Sequence, residues 1–198
     1  MRSLNGFDIY WEDFSVNVVD EGFTVAVDPC EGLEFEADII LLTGEDCYSE
    51  EGVASVSGNG SVLVAPEKFS EKDLPVEDTE FIGEDEVLDI FGVKVEGLSC
   101  NGFCYRFVMR DTSFFVSGSV DFSEELSKWE NLVDVAFLPV NGINLSVREG
   151  VKSAVRLKPE CVLPYGFKDF KDRKADLKGL KAELEDRNVE VVLQRPGE

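Results

Sequence analysis

The fold is decided by two stretches near the amino terminus, Phe23-Thr24-Val25-Ala26-Val27-Asp28-Pro29 and Ala37-Asp38-Ile39-Ile40-Leu41-Leu42-Thr43. In the first stretch apolar residues alternate with the period of two that is expected of a half-buried strand. In the second, a run of consecutive apolar residues follows an aspartate, which is typical of a strand buried on both faces. The chain therefore begins with β-strands of two kinds.

The elements that follow change from strands alone to strands and helices in alternation. The period of two also covers 7–11 and 16–18, and more strands are predicted at 62–64, 93–98, 103–109, 114–116, 133–138, 161–163 and 189–193. Ser146 and Glu149 form a capping box that predicts a helix start. Asp121 and Glu124 predict a second, shorter helix, and a leucine stripe predicts a third over about 170–187.

The stretch 66–87 is rich in proline and acidic residues, and it is interpreted as a long surface excursion. No linker and no internal repeat is visible in the sequence. The order of elements predicts one α/β domain over 1–198, built as two mixed β-sheets flanked by helices. A chain of 198 residues with 43% hydrophobic residues is large enough to fold alone.

The charge balance excludes two classes of partner. The chain has 41 acidic and 19 basic residues, which gives a formal net charge of -22. Nucleic acid and anionic membrane surfaces would be repelled by this charge. The surface is interpreted as acidic and solvated, and it suits a high-salt cytoplasm. A halophilic source is therefore a hypothesis, which is weakened because lysine outnumbers arginine.

Neither a leader segment nor a membrane span is indicated. The first residues carry acids where the apolar part of a signal peptide would lie, and no apolar run has the length of a membrane helix. The five cysteines are scattered and odd in number, so reduced thiols in a cytoplasmic protein are expected. A homo-oligomer is compatible with these features.

Five pieces of the sequence together resemble the metallo-β-lactamase superfamily, and most of all its ascorbate-lactonase-like branch of small hydrolases. The pieces occur in the family's order and spacing, and they are the two stretches above, Gly118, Ala136-Phe137-Leu138-Pro139-Val140-Asn141-Gly142 and Leu163-Pro164. The resemblance implies an αββα sandwich with one or two metal ions, usually zinc, at the edges of the sheets. These ions are held by histidines and carboxylates and generate hydroxide.

The metal ligands of the family are missing from this chain. The family signature after the buried strand is Thr-His-x-His-x-Asp-His, and the matching residues are Thr43, Gly44, Glu45, Asp46, Cys47, Tyr48 and Ser49. The aspartate that bridges two metals matches Ser119, and the last histidine matches Gly166. No shift of register restores a histidine, because the chain contains none. The sequence therefore predicts no catalytic residue, no metal ligand and no cofactor.

The residues near the former ligand positions offer few replacements. Val93 to Phe107 is predicted to be a hairpin that turns at Asn101-Gly102, so the loop that bears the family's middle histidine is reduced to a turn. Cys47, Cys100 and Cys104 lack the spacing of a zinc knuckle and are interpreted as small hydrophobic residues. A hard-cation site on Asp28 and Asp46 would need more converging oxygens.

The expected residual cleft consists of the family positions and three neighbours. The family positions are Gly44, Asp46, Tyr48, Ser49, Ser119 and Gly166, and the neighbours are Asp28, Cys47 and Tyr165. The two tyrosines either grip a small ligand or fill the vacated space. We expect them to narrow the mouth of the cleft, with no strongly cationic group beside it.

Three functions remain open at this point. The first is a catalytically inactive relative that acts as a binding or interaction module for a protein or small molecule. The second is a hydrolase or lyase that uses unfamiliar metal ligands or no metal. The third is a subunit that completes an active partner. Metal content after dialysis separates the first function from the second.

The net charge predicts the response of stability to salt. Self-repulsion at -22 opposes compaction, so potassium chloride should raise the melting temperature by screening it. A melting temperature that is flat or falls from low to molar salt would show instead that the acids are locally paired.

Overall fold

Two seven-stranded β-sheets form the centre of the computed structural model, which describes residues 2–4, 6–12, 14–100, 102–118, 122–140, 145–167 and 170–193. The strands of the first sheet, in spatial order, are β1 (Arg2–Leu4), β2 (Phe7–Glu12), β3 (Ser15–Asp20), β4 (Phe23–Val27), β5 (Ala37–Leu41), β6 (Ser57–Pro66) and β7 (Asp78–Ile82). The strands of the second are β8 (Val87–Ile90), β9 (Val93–Ser99), β10 (Phe103–Met109), β11 (Thr112–Ser117), β12 (Val135–Leu138), β13 (Cys161–Pro164) and β14 (Glu190–Val191).

Each sheet is mixed, and the two follow the same plan. Strands β1 to β4 are antiparallel neighbours, whereas β4 to β7 are parallel. In the second sheet β8 to β11 are antiparallel and β11 to β14 are parallel. The helices are α1 (Glu50–Val56), α2 (Val147–Leu157) and α3 (Phe170–Glu185). The prediction of two mixed sheets with helices is confirmed.

Apolar side chains form three layers. The largest cluster lies between the sheets and includes Trp11, Phe114 and Phe137. A second cluster packs α2 and α3 against the second sheet. It contains Leu180 of the predicted leucine stripe. A third packs α1 against the first sheet through Val53. The order of layers is therefore helix, sheet, sheet, helix, which leaves the ends of the strands as the accessible edges.

The helix starts were predicted with unequal success. Ser146 and Glu149 form the predicted capping box of α2. The second helix is a 3-10 helix over Glu124–Trp129, and its cap is Ser123, whose side chain accepts a hydrogen bond from Glu125 N. Asp121 lies outside the described residues. None of the helices in the described ranges combines the length and apolar character that crossing a bilayer requires.

The interpretation of 66–87 as a surface excursion was wrong. The segment contains a helical turn over Glu67–Phe69 and the strand β7 (Asp78–Ile82), which pairs with β6. β7 lies at the edge of the first sheet, and acidic residues occupy its exposed positions. Such a strand needs apolar residues on one face only, so its composition resembled that of a loop.

The hairpin between β9 and β10 confirms one prediction and corrects another. Ser99 pairs with Phe103, and Cys100 N donates to Gly102 O at 3.1 Å across the turn. Asn101 lies outside the described residues. Contrary to the expectation of reduced thiols, Cys100 and Cys104 form a disulfide. A sequence spacing of four does not by itself indicate a disulfide. The antiparallel turn of the hairpin is what brings the two cysteines together.

Two helical glycines predict opposite effects of alanine. A Cβ on Gly52 of α1 would lie 2.0 Å from the backbone oxygen of Pro29, whereas nothing lies within 4 Å of a Cβ on Gly179 of α3. Gly52→Ala should therefore lower the free energy of unfolding by about 1 to 3 kcal/mol, as overpacking does.

Gly179→Ala is the matched control and should raise the free energy of unfolding by about 0.5 to 1 kcal/mol, because alanine favours the helix. Urea denaturation measures both changes. Equal effects of the two substitutions would contradict the close packing of α1 against the loop that follows β4.

Candidate functional site

A buried carboxyl group joins the ends of β4 and β5. Asp28 follows β4, and Thr43 lies two residues beyond β5; each is 2% exposed. Thr43 N donates to Asp28 Oδ1 at 2.8 Å, and Thr43 Oγ1 donates to Asp28 Oδ2 at 2.5 Å. Both carboxyl oxygens therefore have partners within the fold, which leaves Asp28 poorly suited to hold a metal ion.

Burial changes the ionisation of this group. It raises the pKa of Asp28 from its ordinary value to about 7, while the hydrogen bonds from Thr43 and the positive charge of Lys68 oppose the rise. The backbone of Asp28 has φ 45, a left-handed conformation that Asp and Asn adopt more readily than most residues.

The second sheet meets the first at the same place. A Cβ on Gly118, which follows β11, would lie 1.8 Å from Thr43 Oγ1. Only glycine allows this approach. The end of β11 therefore lies against the end of β5, and the parallel strands β12 and β13 end at the same edge.

Four predicted site residues lie together after β5, but their side chains have different environments. Gly44 is half-buried, and Asp46 is exposed on a single turn of 3-10 helix. The ring of Tyr48 packs edge to face against Phe69 with centroids 5.9 Å apart. Ser49 is the N-cap of α1 and accepts a hydrogen bond from Gly52 N at 3.0 Å. The neighbouring Cys47 is half-buried.

The remaining predicted positions come from the second sheet. Gly166 follows β13 at φ 82, and a Cβ there would lie 3.2 Å from the ring of Phe14. Ser119 lies outside the described residues. Phe14, on the turn between β2 and β3, therefore covers Gly166, the position that the sequence resemblance assigns to the family's last histidine. Sequence reasoning missed this contact, because it joins residues from opposite ends of the chain.

The two tyrosines have different environments. Tyr165 is fully buried, and its hydroxyl donates to Ser117 O at 2.5 Å. Burial, together with the charges of Asp28 and Cys47, raises its pKa well above the ordinary value. Tyr48 packs sideways on Phe69. The aromatic cover of this edge is thus provided by Phe14.

The edge also carries two ammonium groups, whereas the sequence led to the expectation of no strongly cationic group. Lys68 Nζ lies 3.8 Å from the place a Gly44 Cβ would occupy. Lys72 Nζ lies 5.8 Å from the Tyr48 ring centroid and 3.3 Å from Glu45 Oε1. Both lysines belong to the segment that was interpreted as a surface excursion, which is why sequence reasoning missed them.

The residues present do not fit a metal ion of the family kind. Metal sites need several converging imidazole, thiolate or carboxylate ligands. In the part of the chain that the structure describes, no three His, Cys, Asp or Glu side chains converge in this way. Asp46 supplies one exposed carboxylate, and Gly44 supplies no donor atom. This edge can provide an ammonium group, backbone amides and aromatic faces instead.

Comparison with known proteins gives the fold a family context. No protein-family model matches the chain. A UPF0173 metal-dependent hydrolase of Pyrococcus horikoshii is 27% identical over 185 residues, which cover 82% of this chain and 80% of that protein.

Two solved structures share the architecture. A proposed metal-dependent hydrolase from Parabacteroides distasonis superposes with a TM-score of 0.81 at 19% identity, over 99% of this chain and 97% of that one. A proposed zinc-dependent hydrolase of the metallo-β-lactamase superfamily from Thermotoga maritima gives a TM-score of 0.61 at 17% identity, over 81% and 76%. The fold is metallo-β-lactamase-like, and the resemblance identified from the sequence is confirmed.

The raised pKa of Asp28 predicts a dependence of stability on pH. Between the ordinary pKa and about 7, the folded state holds a proton on Asp28 that the unfolded state releases. The contribution of Asp28 to stability is therefore present at acid pH and is lost as the pH rises toward 7. Asp28→Asn reproduces the protonated group, because its amide can donate to Thr43 Oγ1.

The variant should therefore match the wild type near pH 4 and be more stable above pH 7. Thermal unfolding at matched ionic strength measures this. Asp111→Asn, at an exposed turn, removes the same charge and controls for self-repulsion. An equal rise in melting temperature of both variants above pH 7 would show that the burial of Asp28 has no specific effect on stability.

Proposed function

We propose that this chain uses its metallo-β-lactamase-like fold as a binding module and does not perform metal-dependent hydrolysis. One observation carries the proposal. At each described position that matches a family metal ligand, the residue has no side chain, has a single exposed carboxylate, or uses its side chain in a contact within the fold. Gly44 and Gly166 have no side chain, and Ser49 caps α1.

Several features support a binding role over a rebuilt catalytic one. Hydrolysis without a metal needs a nucleophile with a base in hydrogen-bond reach. The hydroxyl of Ser49 accepts a hydrogen bond from Gly52 N, and the Asp28 carboxyl is held by Thr43. Neither group is arranged to activate a water molecule. Aromatic faces beside ammonium groups suit recognition of a small molecule.

A second candidate has an observation in its favour. The relative from Pyrococcus horikoshii is named a metal-dependent hydrolase, and it matches four fifths of this chain. A hydrolase that uses unfamiliar ligands or no metal therefore remains the alternative proposal. Such an enzyme would draw on Asp46, Cys47 or the undescribed Ser119. A subunit that completes an active partner is the third, and co-purification from the native host tests it.

Other parts of the proposal concern the setting of the protein. We infer one domain over 1–198 that works in a cytoplasm, with a small molecule or a protein as partner. A disulfide between Cys100 and Cys104 is unusual in a reducing compartment, although cytoplasmic proteins of hyperthermophiles contain such bonds. The net charge of -22 supports the hypothesis of a high-salt source.

Metal analysis and ester or lactone hydrolysis test the binding-module proposal directly. After dialysis the protein should hold less than stoichiometric zinc, iron or manganese, and hydrolysis should not respond to added metal. About one metal per chain, or turnover that a chelator abolishes, would support the alternative. Coordination by Cys47 or Asp46 would then identify its ligands.

Restoring the family ligands provides a sharper test. The variant combines Gly44→His, Asp46→His, Ser49→His and Gly166→His with Tyr48→Asp and Ser119→Asp. We expect at most weak zinc binding by calorimetry, because a Cβ at position 166 would lie 3.2 Å from the ring of Phe14 on a left-handed backbone at φ 82.

Catalysis also needs ligands held within about half an ångström of productive geometry. Adding Phe14→Ala to the variant is the control, since this change removes the obstructing ring. Robust turnover by the six-position variant alone would show that the site is still preorganised, and would contradict a long-established binding role.

A further inference from the structure

A cavity of about 370 Å³ lies where the ends of β6 and β7 face the hairpin between β9 and β10, and Lys68 is part of its wall. Its wall combines an ammonium group, apolar side chains, a hydroxyl and two carboxylates. The residues that matter here are Lys68, Ile82, Phe103, Ser99, Glu67 and Glu84. The volume is that of a small-molecule site.

Lys68 is the one cationic group of this wall, and it also reaches the former metal edge. Its Nζ lies 3.8 Å from the place a Gly44 Cβ would occupy, and its charge acts on the carboxyl of Asp28. Over the described ranges, no carboxylate lies within 4.0 Å of its ammonium group, whereas Lys72 pairs with Glu45 and Lys128 pairs with Glu84.

Gly44 leaves this ammonium group open to a ligand. A histidine at position 44, as in the family, would lie against Lys68 Nζ. Because glycine has no side chain, an anion can approach the ammonium from that direction. The chain as a whole repels anions, because its net charge is -22. An accessible cation in a concave wall attracts a negative group locally.

The remaining wall selects which anion can bind. Phe103, which is 8% exposed, and the fully buried Ile82 form the apolar part of the lining. Glu67 and Glu84 line the cavity as well, but Glu84 is paired with Lys128, so the repulsion of a dianion comes mainly from Glu67. One ammonium group cannot neutralise a phosphate dianion beside the Glu67 carboxylate. A carboxylate with an apolar body satisfies both parts of the wall.

We infer that this cavity binds a small monocarboxylate, with the carboxylate on Lys68 and the apolar body against Phe103. The inference rests on the proposed binding function and gives it a ligand class. Lys68 then provides the positive charge that the family obtains from a metal ion, although it lies at the side of the former metal edge.

The test uses 3-phenylpropionate as the probe, with the neutral 3-phenylpropionamide and inorganic phosphate for comparison. NMR titration, followed through the amides of Gly83 and Gly102 in the cavity wall, gives both location and affinity. Wild-type protein should bind the carboxylate more tightly than the amide, and phosphate should neither bind nor compete. Added salt should weaken the binding.

Variants separate the charge of Lys68 from the general charge of the protein. Lys68→Gln should weaken carboxylate binding by about two- to fivefold, the range of an exposed ion pair, and leave the amide unaffected. Lys94→Gln removes an equal charge from an exposed position of β9 and should have no effect. Lys68→Arg should restore binding, and Glu67→Gln should strengthen it.

Three outcomes would overturn the inference. They are equal affinity for the acid and the amide, unchanged affinity in Lys68→Gln, and phosphate binding in preference to the carboxylate. None of them bears on the proposed absence of metal-dependent hydrolysis, which depends on metal content and turnover. Conversely, stoichiometric zinc with chelator-sensitive turnover would defeat the proposed function even if the carboxylate bound.

Discussion

The hydrogen bonds between Thr43 and the buried carboxyl of Asp28 hold together the edge on which the site is built. They join the end of β4 to the end of β5 at 2.5 and 2.8 Å. Gly118 then allows the second sheet to contact Thr43. A bound metal ion can tie such loops together through its ligands. Here side-chain hydrogen bonds and close packing join the same strand ends.

At the other end of the sheets, aspartate side chains also join neighbouring strands by hydrogen bonds. Thr24 N donates to Asp38 Oδ2 in the first sheet, and Ser113 N donates to Asp134 Oδ2 in the second, both at 2.7 Å. In the first sheet the bond joins the start of β4 to the start of β5, and in the second it joins the start of β11 to the residue before β12. In both sheets these are the last antiparallel strand and its parallel neighbour. The sequence shows no repeat, yet the two halves share strand order and this aspartate. Similar constraints on β-strand pairing therefore hold both halves in register.

The framework could be predicted from the sequence because its signals are local. Alternation, the apolar run at 39–42 and the box of Ser146 and Glu149 each act within a few residues. The edge strand β7 was missed since only one of its faces is apolar. Phe14 over Gly166 and Lys68 beside Gly44 could not be predicted, because each contact depends on how distant elements pack. The disulfide of Cys100 was missed for a related reason: a hairpin turn, not a sequence motif, creates the pair.

This division explains how the fold can be recognised in a sequence that contains no histidine. The residues that identify the fold, among them Asp28, Thr43 and Gly118, are buried or closely packed, so changing them costs stability. The ligand positions contribute little to the core: Asp46 is exposed and Gly44 is half-buried. Substitutions there therefore disturb the scaffold less than substitutions in the core. Fold similarity to hydrolases is evidence about the framework, and function must be argued from the side chains at the strand ends. At that edge these side chains include the ammonium groups of Lys68 and Lys72, which lie beside the rings of Phe69 and Tyr48.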